Sequence, residues 1–196
     1  MSQEKLLLTG CGILKAEVEF LRRKNHWEFD TDFLPSSLHI DFKALQTQLG
    51  CALECHSQRD TLVFYGACHP LMEKILDNYH TIRTEGQNCV EMLLGRERFM
   101  AELAQGAFFL LEDWALHWDT VIVKTFGDRP KVIREIFQQA HKYLLCINTP
   151  CSHDFSAEAE AAGKMVGLPV KSVSVSLDFL ETTLQNLLAH KQPAGL

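Results

Sequence analysis

The stretch Phe64-Tyr65-Gly66-Ala67-Cys68-His69-Pro70 decides how we interpret the fold of this chain. It follows a short apolar run over 61–65 and precedes a helical pattern that begins near Pro70, so it predicts a strand, a sharp turn and a helix. A cysteine and a histidine lie in the turn. In open α/β sheets, ligands bind outside the carboxyl ends of the strands, where such turns lie. The stretch therefore predicts a site at the end of a strand, but it does not specify a reaction.

Strand-like and helix-like patterns alternate along the rest of the chain. The apolar runs that predict strands lie at 5–9, 27–34, 61–65, 79–83, 107–111, 142–148 and 170–176, and helical patterns separate them. This alternation predicts an α/β fold: a mainly parallel open sheet, flanked by helices on both faces in Rossmann-like layers. The pattern is also compatible with two pseudo-equivalent halves. At 196 residues, we expect a single α/β domain over 1–196.

Short polar residues mark where several helices begin. Asp41, Asn88 and Asp128 each precede a helical pattern, and such side chains favour this position because they accept hydrogen bonds from the first free N–H groups. The pattern after Asn88 predicts one long helix over 89–104. The segment 115–126 is compatible with a helix or a strand. Two tryptophans four residues apart favour a helix, and a run of β-branched residues favours a strand.

Composition argues against several classes of protein. The formal net charge is −6 and no run of five basic residues occurs, so we expect no nucleic-acid partner. No apolar stretch approaches 18 residues, and the apolar run near the N-terminus is too short for a signal peptide, so we expect no membrane span and a cytoplasmic location. There the seven cysteines would be thiols or metal ligands rather than disulfides. The sequence carries no phosphate-binding loop, dinucleotide fingerprint or nucleophile elbow, and it leaves the oligomeric state open.

Cysteine or histidine follows several of the predicted strands. Cys11 ends the first strand, His39 follows the second, Cys68 follows the third and Cys89 follows the fourth. Because the carboxyl ends of parallel strands share one edge of a sheet, we expect these residues to converge. The three cysteines also adjoin the starts of predicted helices, where free N–H groups and the helix dipole favour a thiolate. Three thiolates with His39 would complete a tetrahedral zinc site, and three thiolates alone would hold a four-iron cluster at three corners.

Other interpretations of these and nearby residues stay open. Cysteine is among the most buried residue types, so each cysteine could be a small apolar filler. Cys151 and His153 follow the sixth strand and would either extend the site or form an exposed turn. Trp114 and Trp118 would either line a pocket for a flat cofactor, such as a corrinoid or another tetrapyrrole, or form aromatic core.

Several short motifs of the chain resemble those of a known protein family. They are Thr9-Gly10-Cys11-Gly12, Leu38-His39, Tyr65-Gly66-Ala67-Cys68, Asn88-Cys89 through Leu93-Leu94-Gly95, and Gly106 to Trp114. Together they resemble an uncharacterised family, the domain of unknown function family numbered 1638, over about residues 6 to 148. The resemblance implies an association with anaerobic one-carbon metabolism and corrinoid methyltransferases, without an established activity. It also implies that the three cysteines and His39 are matching motif positions.

Three hypotheses about function follow from the residues and the resemblance. The first is a metal-binding protein, in which Cys11, Cys68, Cys89 and His39 hold zinc or an iron–sulfur cluster for anaerobic one-carbon or corrinoid-linked metabolism. The second is a non-catalytic partner of a corrinoid protein or methyltransferase, with the two tryptophans at a tetrapyrrole pocket. The third is a thiol-dependent enzyme that uses Cys68 as nucleophile. The sequence does not distinguish zinc from iron, nor a catalytic site from a structural one, and it does not identify a small-molecule substrate.

Overall fold

The computed structural model describes residues 5–190 of the 196, except for the side chain of His39. The strands are β1 (Leu6–Cys11), β2 (Phe29–Leu34), β3 (Thr61–Phe64), β4 (Ala107–Leu110), β5 (Tyr143–Asn148) and β6 (Val170–Ser174). The α-helices are α1 (Lys15–Lys24), α2 (Phe42–Cys55), α3 (Met72–Asp77), α4 (Cys89–Leu94), α5 (Arg96–Ala104), α6 (Glu112–Leu116), α7 (Trp118–Phe126), α8 (Pro130–Ala140), α9 (Ser156–Val166) and α10 (Asp178–Ala189). Two 3-10 helices cover Gly12–Leu14 and Ser36–Ile40. Within residues 5–190, no helix is long and apolar enough to cross a membrane.

The chain divides into two compact units, each with its own parallel sheet. Unit 1 comprises Met1–Leu93 with Asp178–Leu196, and unit 2 comprises Leu94–Leu177. The strand order is β2-β1-β3 in the first sheet and β4-β5-β6 in the second. The predicted α/β class and the parallel pairing are therefore confirmed. The expectation that all the strand ends share one edge is wrong, because the strands divide between two sheets, and the single domain over 1–196 stays a prediction.

Strand β1 is the central strand of the first sheet and contacts β3 very closely at one point. It pairs with β2 from Leu6 to Cys11, and its register with β3 pairs Gly10 with Phe64. A Cβ atom at Gly10 would overlap the carbonyl oxygen of Phe64. Only glycine fits at this position, so the close approach of β1 and β3 just before their carboxyl ends depends on it.

Helices α2 and α3 supply much of the hydrophobic core of unit 1. Their buried side chains form one cluster with Leu38 and with Val63 and Tyr65 at the end of β3; these helix residues are Leu45, Leu49, Leu53, Met72, Ile75 and Leu76. The predicted cap of α2 is confirmed, since the Asp41 carboxylate accepts a hydrogen bond from the Ala44 N–H at 2.9 Å. The end of β3 therefore lies inside a packed apolar layer.

The prediction of a strand over 79–83 is wrong, although this segment lies beside β3. It forms one isolated parallel bridge, between Val63 and Arg83. The hydroxyl groups of Thr81 and Thr84 donate to main-chain carbonyl groups at either end of β3, at 2.6 and 2.8 Å. These bonds flank two main-chain hydrogen bonds at 2.9 Å, from the Val63 N–H to the Ile82 carbonyl and from the Thr84 N–H to the Val63 carbonyl, and the segment approaches the carboxyl end of β3.

Three local predictions about helices are corrected or resolved. The single helix predicted over 89–104 is wrong, because Gly95, at φ 72°, separates α4 from α5. The segment 115–126 is helical, in α6 and α7. The predicted cap at Asp128 is wrong, since α8 begins at Pro130 without a side-chain cap. Proline suits that first position, where its missing N–H needs no partner.

We predict that Gly10→Ala lowers the free energy of unfolding by about 1–3 kcal/mol, because the added methyl group forces β1 and β3 apart. Gly50→Ala is the matched control: Gly50 lies within α2, and its Cβ would approach only the Tyr79 hydroxyl, at 3.2 Å. Alanine favours a helix, so we expect this control to raise stability by up to about 1 kcal/mol. Urea unfolding followed by circular dichroism measures both, and a Gly10→Ala variant as stable as the wild type would contradict the close contact.

Candidate functional site

Three cysteines lie at the carboxyl edge of the first sheet, and we call them the edge cysteines. Cys11 is the last residue of β1, Cys68 lies in the turn after β3, and Cys89 is the first residue of α4. All three are partly buried, and none is joined in a disulfide. Cys11 and Cys68 pack against the hydrophobic cluster that contains Tyr65.

A second glycine allows the turn after β3 to touch the segment that leads into α4. A Cβ atom at Gly66 would lie 2.5 Å from the carbonyl oxygen of Gln87 and 2.7 Å from the Cα of Asn88. Any larger residue would have to displace the main chain. Gly66 therefore permits the approach that brings the turn carrying Cys68 close to the residue before Cys89.

Hydrogen bonds fix the beginning of α4, where the third thiol lies. The Asn88 side-chain oxygen accepts from the N–H groups of Val90 and Glu91, both at 3.0 Å, which confirms the predicted cap. The Glu91 carboxylate in turn accepts from the Gln87 N–H at 3.0 Å. This reciprocal pattern is similar to a capping box, and it holds Cys89 at a defined place and orientation.

Cys89 lies within electrostatic range of Cys11 and Cys68, and burial keeps Cys68 and Cys89 protonated. Burial raises the pKa of Cys68 and raises that of Cys89 well above its ordinary value. Negative charge on Cys11 or Cys68 would raise the pKa of Cys89 further, whereas the N–H groups at the start of α4 lower it. We expected the helix starts to make these cysteines thiolates. For Cys68 and Cys89 this expectation is wrong, because burial away from water raises the pKa of each thiol more than the nearby N–H groups lower it.

Tyr65 is a member of this site that sequence reasoning missed. Its side chain is 2% exposed, and its hydroxyl has no hydrogen-bond partner among the described residues. Burial raises the pKa of this hydroxyl, and charge on Cys11 or Cys68 would raise it further, so the phenol stays neutral beside the two thiols. The sequence offered one signal, the place of Tyr65 at the end of the apolar run three residues before Cys68.

Arg83 supplies positive charge to the same edge. Its guanidinium group lowers the pKa of Cys68, against the larger effect of burial. It is held by the Glu73 carboxylate at 2.6 Å and donates to the carbonyl groups of Thr84 and Gly86, at 2.8 and 3.2 Å. A fixed cation therefore lies where a thiolate of Cys68 would be stabilised.

The neighbour of Cys68 in sequence has a structural role of its own. His69 is buried, and its Nδ1 accepts a hydrogen bond from the Leu71 N–H at 2.9 Å. Its ring packs edge-on against Phe42, with the ring centroids 5.5 Å apart. An activated nucleophile has a lowered thiol pKa, whereas that of Cys68 is raised, so these observations disfavour the thiol-enzyme hypothesis.

The remaining metal-ligand prediction concerns His39. It lies in the 3-10 helix Ser36–Ile40, and its side chain is outside the described part of the chain, so its role stays a prediction. Among the side chains that are described, no group of three His, Cys, Asp or Glu residues is arranged to hold a metal ion. The edge cysteines thus share a neighbourhood and a soft-donor chemistry that suits zinc or iron–sulfur clusters, without coordination geometry.

The two tryptophans belong to the core of unit 2. Trp118 is 4% exposed and packs in edge-to-face geometry against Phe108 and Phe137, with ring centroids 5.7 and 5.8 Å apart. Trp114 is partly buried against the same cluster. These contacts account for both residues as aromatic core, and a role in binding a flat cofactor stays a prediction.

Cys151 and His153 lie at the end of β5, in unit 2, and not at the edge that carries the edge cysteines. The His153 ring contacts the Glu112 carboxylate at 2.9 Å through Nδ1, and its main-chain N–H donates to the same carboxylate at 3.1 Å. The Cys151 N–H donates to the Thr149 hydroxyl at 3.1 Å. The two residues therefore form a surface turn that is tied to Glu112, the first residue of α6.

The fold and the edge cysteines define an α/β protein with thiols at the end of a parallel sheet. A family model described as "Protein of unknown function (DUF1638)" matches residues 33–184, which is most of the chain. The chain therefore belongs to this family, and the resemblance is confirmed. The match includes Cys68, Cys89 and His39, and Cys11 lies before it. No curated protein and no solved structure matches the chain, and the corrinoid association stays a prediction.

We predict that the seven thiols react in an order set by burial. In chelator-treated protein, the exposed Cys51 and Cys55 should react first with a disulfide reagent such as DTNB at neutral pH. Cys68 and Cys89 should react much more slowly, because their raised pKa leaves little thiolate, and Cys146 provides a buried reference with a pKa raised to about 11.

Mass spectrometry of time points assigns each reaction to a residue. Raising the pH towards the pKa of a buried thiol should increase its rate, since the thiolate is the reacting form. Reaction of Cys68 before Cys51 and Cys55 would contradict the order and would favour the thiol-enzyme hypothesis.

Proposed function

We propose that this chain is a metal-binding protein whose edge cysteines hold zinc or an iron–sulfur cluster, with His39 as the fourth ligand of a zinc site. The observation that carries the proposal is that Cys89 lies within electrostatic range of Cys11 and Cys68, and that these two cysteines lie in range of a buried hydroxyl that lacks a described partner. A metal cation would connect all three cysteines.

The electrostatics of the edge cysteines suit a metal better than they suit a free thiolate. Cys68 and Cys89 resist ionisation, because burial raises the pKa of each, and negative charge on Cys11 or Cys68 would raise the pKa of Cys89 further. A divalent cation reverses both effects, since it replaces the protons and attracts every thiolate in a medium of low dielectric constant. Metal binding then offsets the cost of burying a thiolate, which is the main reason that Cys68 and Cys89 stay neutral.

The net negative charge of a metal-loaded site would be offset by a nearby arginine. Three thiolates, one divalent metal and one neutral imidazole together carry one net negative charge. The guanidinium of Arg83, which already lowers the pKa of Cys68, lies where it would offset that charge. Its ion pair with Glu73 and its hydrogen bonds to the loop hold it there independently of the metal.

Metal binding requires the thiols to turn from their described positions, since these do not form a coordination site. A cysteine side chain has one heavy-atom torsion with three staggered positions, so the change is small for each residue. The main chain around the edge cysteines is held by the contacts at Gly10 and Gly66. The proposal therefore combines a preformed backbone with side chains that adjust to the ion.

The choice between zinc and iron depends on the fourth position. Three thiolates with His39 make a closed tetrahedral zinc site of the structural kind. Three thiolates without His39 leave one iron of a four-iron cluster open to another ligand. A cytoplasmic location belongs to the same proposal, because the thiols must stay reduced, and a place in one-carbon or corrinoid-linked metabolism rests on the family resemblance.

We predict that protein purified without oxygen contains about one zinc ion per chain, or iron with sulfide and visible charge-transfer absorption. Elemental analysis and the absorption spectrum measure this directly. Cys68→Ser should lower the bound metal at least about tenfold, because one of three soft ligands is replaced by a weak hydroxyl donor. Cys51→Ser is the matched control, since Cys51 is an exposed cysteine on α2 and should leave the metal content unchanged.

Circular dichroism of each variant separates loss of metal from loss of the fold. Wild-type protein that holds neither metal after reconstitution with zinc or with iron and sulfide would contradict the proposal. Equal metal content in the Cys68→Ser and Cys51→Ser variants would contradict it as well.

A further inference from the structure

Two cysteines lie on the exposed side of α2, and we call them the α2 cysteines. Cys51 and Cys55 are both exposed, although cysteine is one of the residue types that are most often buried. Leu49 and Leu53 of the same helix belong to the hydrophobic core. Because a step of two residues turns a helix by about 200°, Cys51 lies on the side opposite to both leucines. Packing in the core therefore does not account for the two thiols.

The α2 cysteines lie about one helical turn apart. Residues four apart in an α-helix have Cα atoms about 6 Å from each other, which is within the range found in disulfides. Their Cβ atoms lie about 5–6 Å apart, whereas a disulfide needs about 3.5–4.5 Å. The pair is thus too far apart to be bridged within a regular helix, and near enough to be bridged if one turn changes its shape.

The last turn of α2 is the part that can change its shape. Cys55 is the final residue of the helix, and His56 has left the helical conformation, at φ −105° and ψ 18°. The His56 N–H donates to the Ala52 carbonyl group at 3.2 Å. The Ser57 N–H donates to the Glu54 carbonyl group, also at 3.2 Å. Both bonds are at the long end of the usual range, so Cys55 can move towards the other thiol at the loss of two weak bonds.

We infer that the α2 cysteines are a redox pair, which a small-molecule disulfide such as oxidised glutathione converts to an intramolecular disulfide. The thiolate of one cysteine attacks the small disulfide, so that a mixed disulfide forms and one small thiolate leaves. The second cysteine loses its proton and attacks the protein sulfur of the mixed disulfide, and the second small thiolate leaves. In total the two protein thiols lose two electrons and two protons, and the oxidant becomes two thiols.

The position of the pair determines the kind of disulfide that it forms. A bond that pulls the last turn of a helix out of shape is strained, and strained or exposed disulfides are the ones that are readily reduced. The disulfide therefore forms and breaks as the ratio of disulfide to thiol around the protein changes. Since α2 leads from the carboxyl end of β2 to the amino end of β3, the pair lies away from the edge cysteines, and the inference is independent of metal binding.

The reagent DTNB, itself a small symmetrical disulfide, tests the pairing in the full chain after treatment with a chelator. With one equivalent of reagent, we expect the wild type to release two coloured thiols for each DTNB consumed, since the second cysteine displaces the group that the first has taken up. Cys51→Ser and Cys55→Ser are the matched variants. Each keeps a single exposed thiol on α2 and should release one coloured thiol, which is about half the wild-type yield.

Digestion with trypsin separates this pair from the other cysteines, because the peptide 44–59 contains both α2 cysteines and no other cysteine. In the oxidised wild type this peptide should lose two hydrogens and carry no reagent. In either serine variant it should keep the reagent as a mixed disulfide. Hydrogen exchange of the oxidised wild type should show lower protection of the His56 and Ser57 amides, whereas the Ala44 amide at the start of α2 should be unchanged.

Three results would overturn the inference. The first is release of one coloured thiol per DTNB by the wild type. The second is a peptide 44–59 that carries reagent on both sulfur atoms. The third is a disulfide from this peptide to a cysteine elsewhere in the chain.

Discussion

Two contacts between main-chain segments determine the carboxyl edge of the first sheet. At Gly10, strand β1 touches the carbonyl group of Phe64, and at Gly66 the turn after β3 touches the chain at Gln87. Neither contact leaves room for a Cβ atom. The three segments that carry the edge cysteines are therefore held together by the main chain, whether or not the thiols interact. Site chemistry can then depend on small side-chain movements over a fixed backbone.

The features that depend on neighbours in sequence could be predicted. The alternation of apolar runs and helical patterns predicted the α/β class and parallel strands, and the short polar side chains of Asp41 and Asn88 predicted where α2 and α4 begin. A cap needs only the next three residues, and a buried parallel strand needs only a short apolar run. The approach of Cys11, Cys68 and Cys89 to one another followed from the same reasoning, since each follows a segment that lies in or beside one sheet.

The features that depend on distant residues could not be predicted. Nothing local indicates that β4, β5 and β6 form a sheet of their own, or that the hydroxyl groups of Thr81 and Thr84 help to attach their segment to β3. The pKa of the Cys89 thiol was predicted to fall and is raised instead. The start of a helix can be predicted from the sequence, whereas the burial of one side chain cannot. Tyr65 was missed for the same reason, since an unpaired hydroxyl is a property of the packed structure.

A metal at the edge cysteines would account for three observations together: the grouping of thiols of which Cys68 and Cys89 have a raised pKa, a guanidinium fixed beside Cys68, and a buried phenol without a described partner in range of Cys11. The most direct measurement is X-ray absorption at the zinc or iron edge of protein purified without oxygen. We expect at least three sulfur neighbours at about 2.3 Å from the metal. A first shell that contains only oxygen and nitrogen, or protein that holds no metal, would contradict metal binding at this edge.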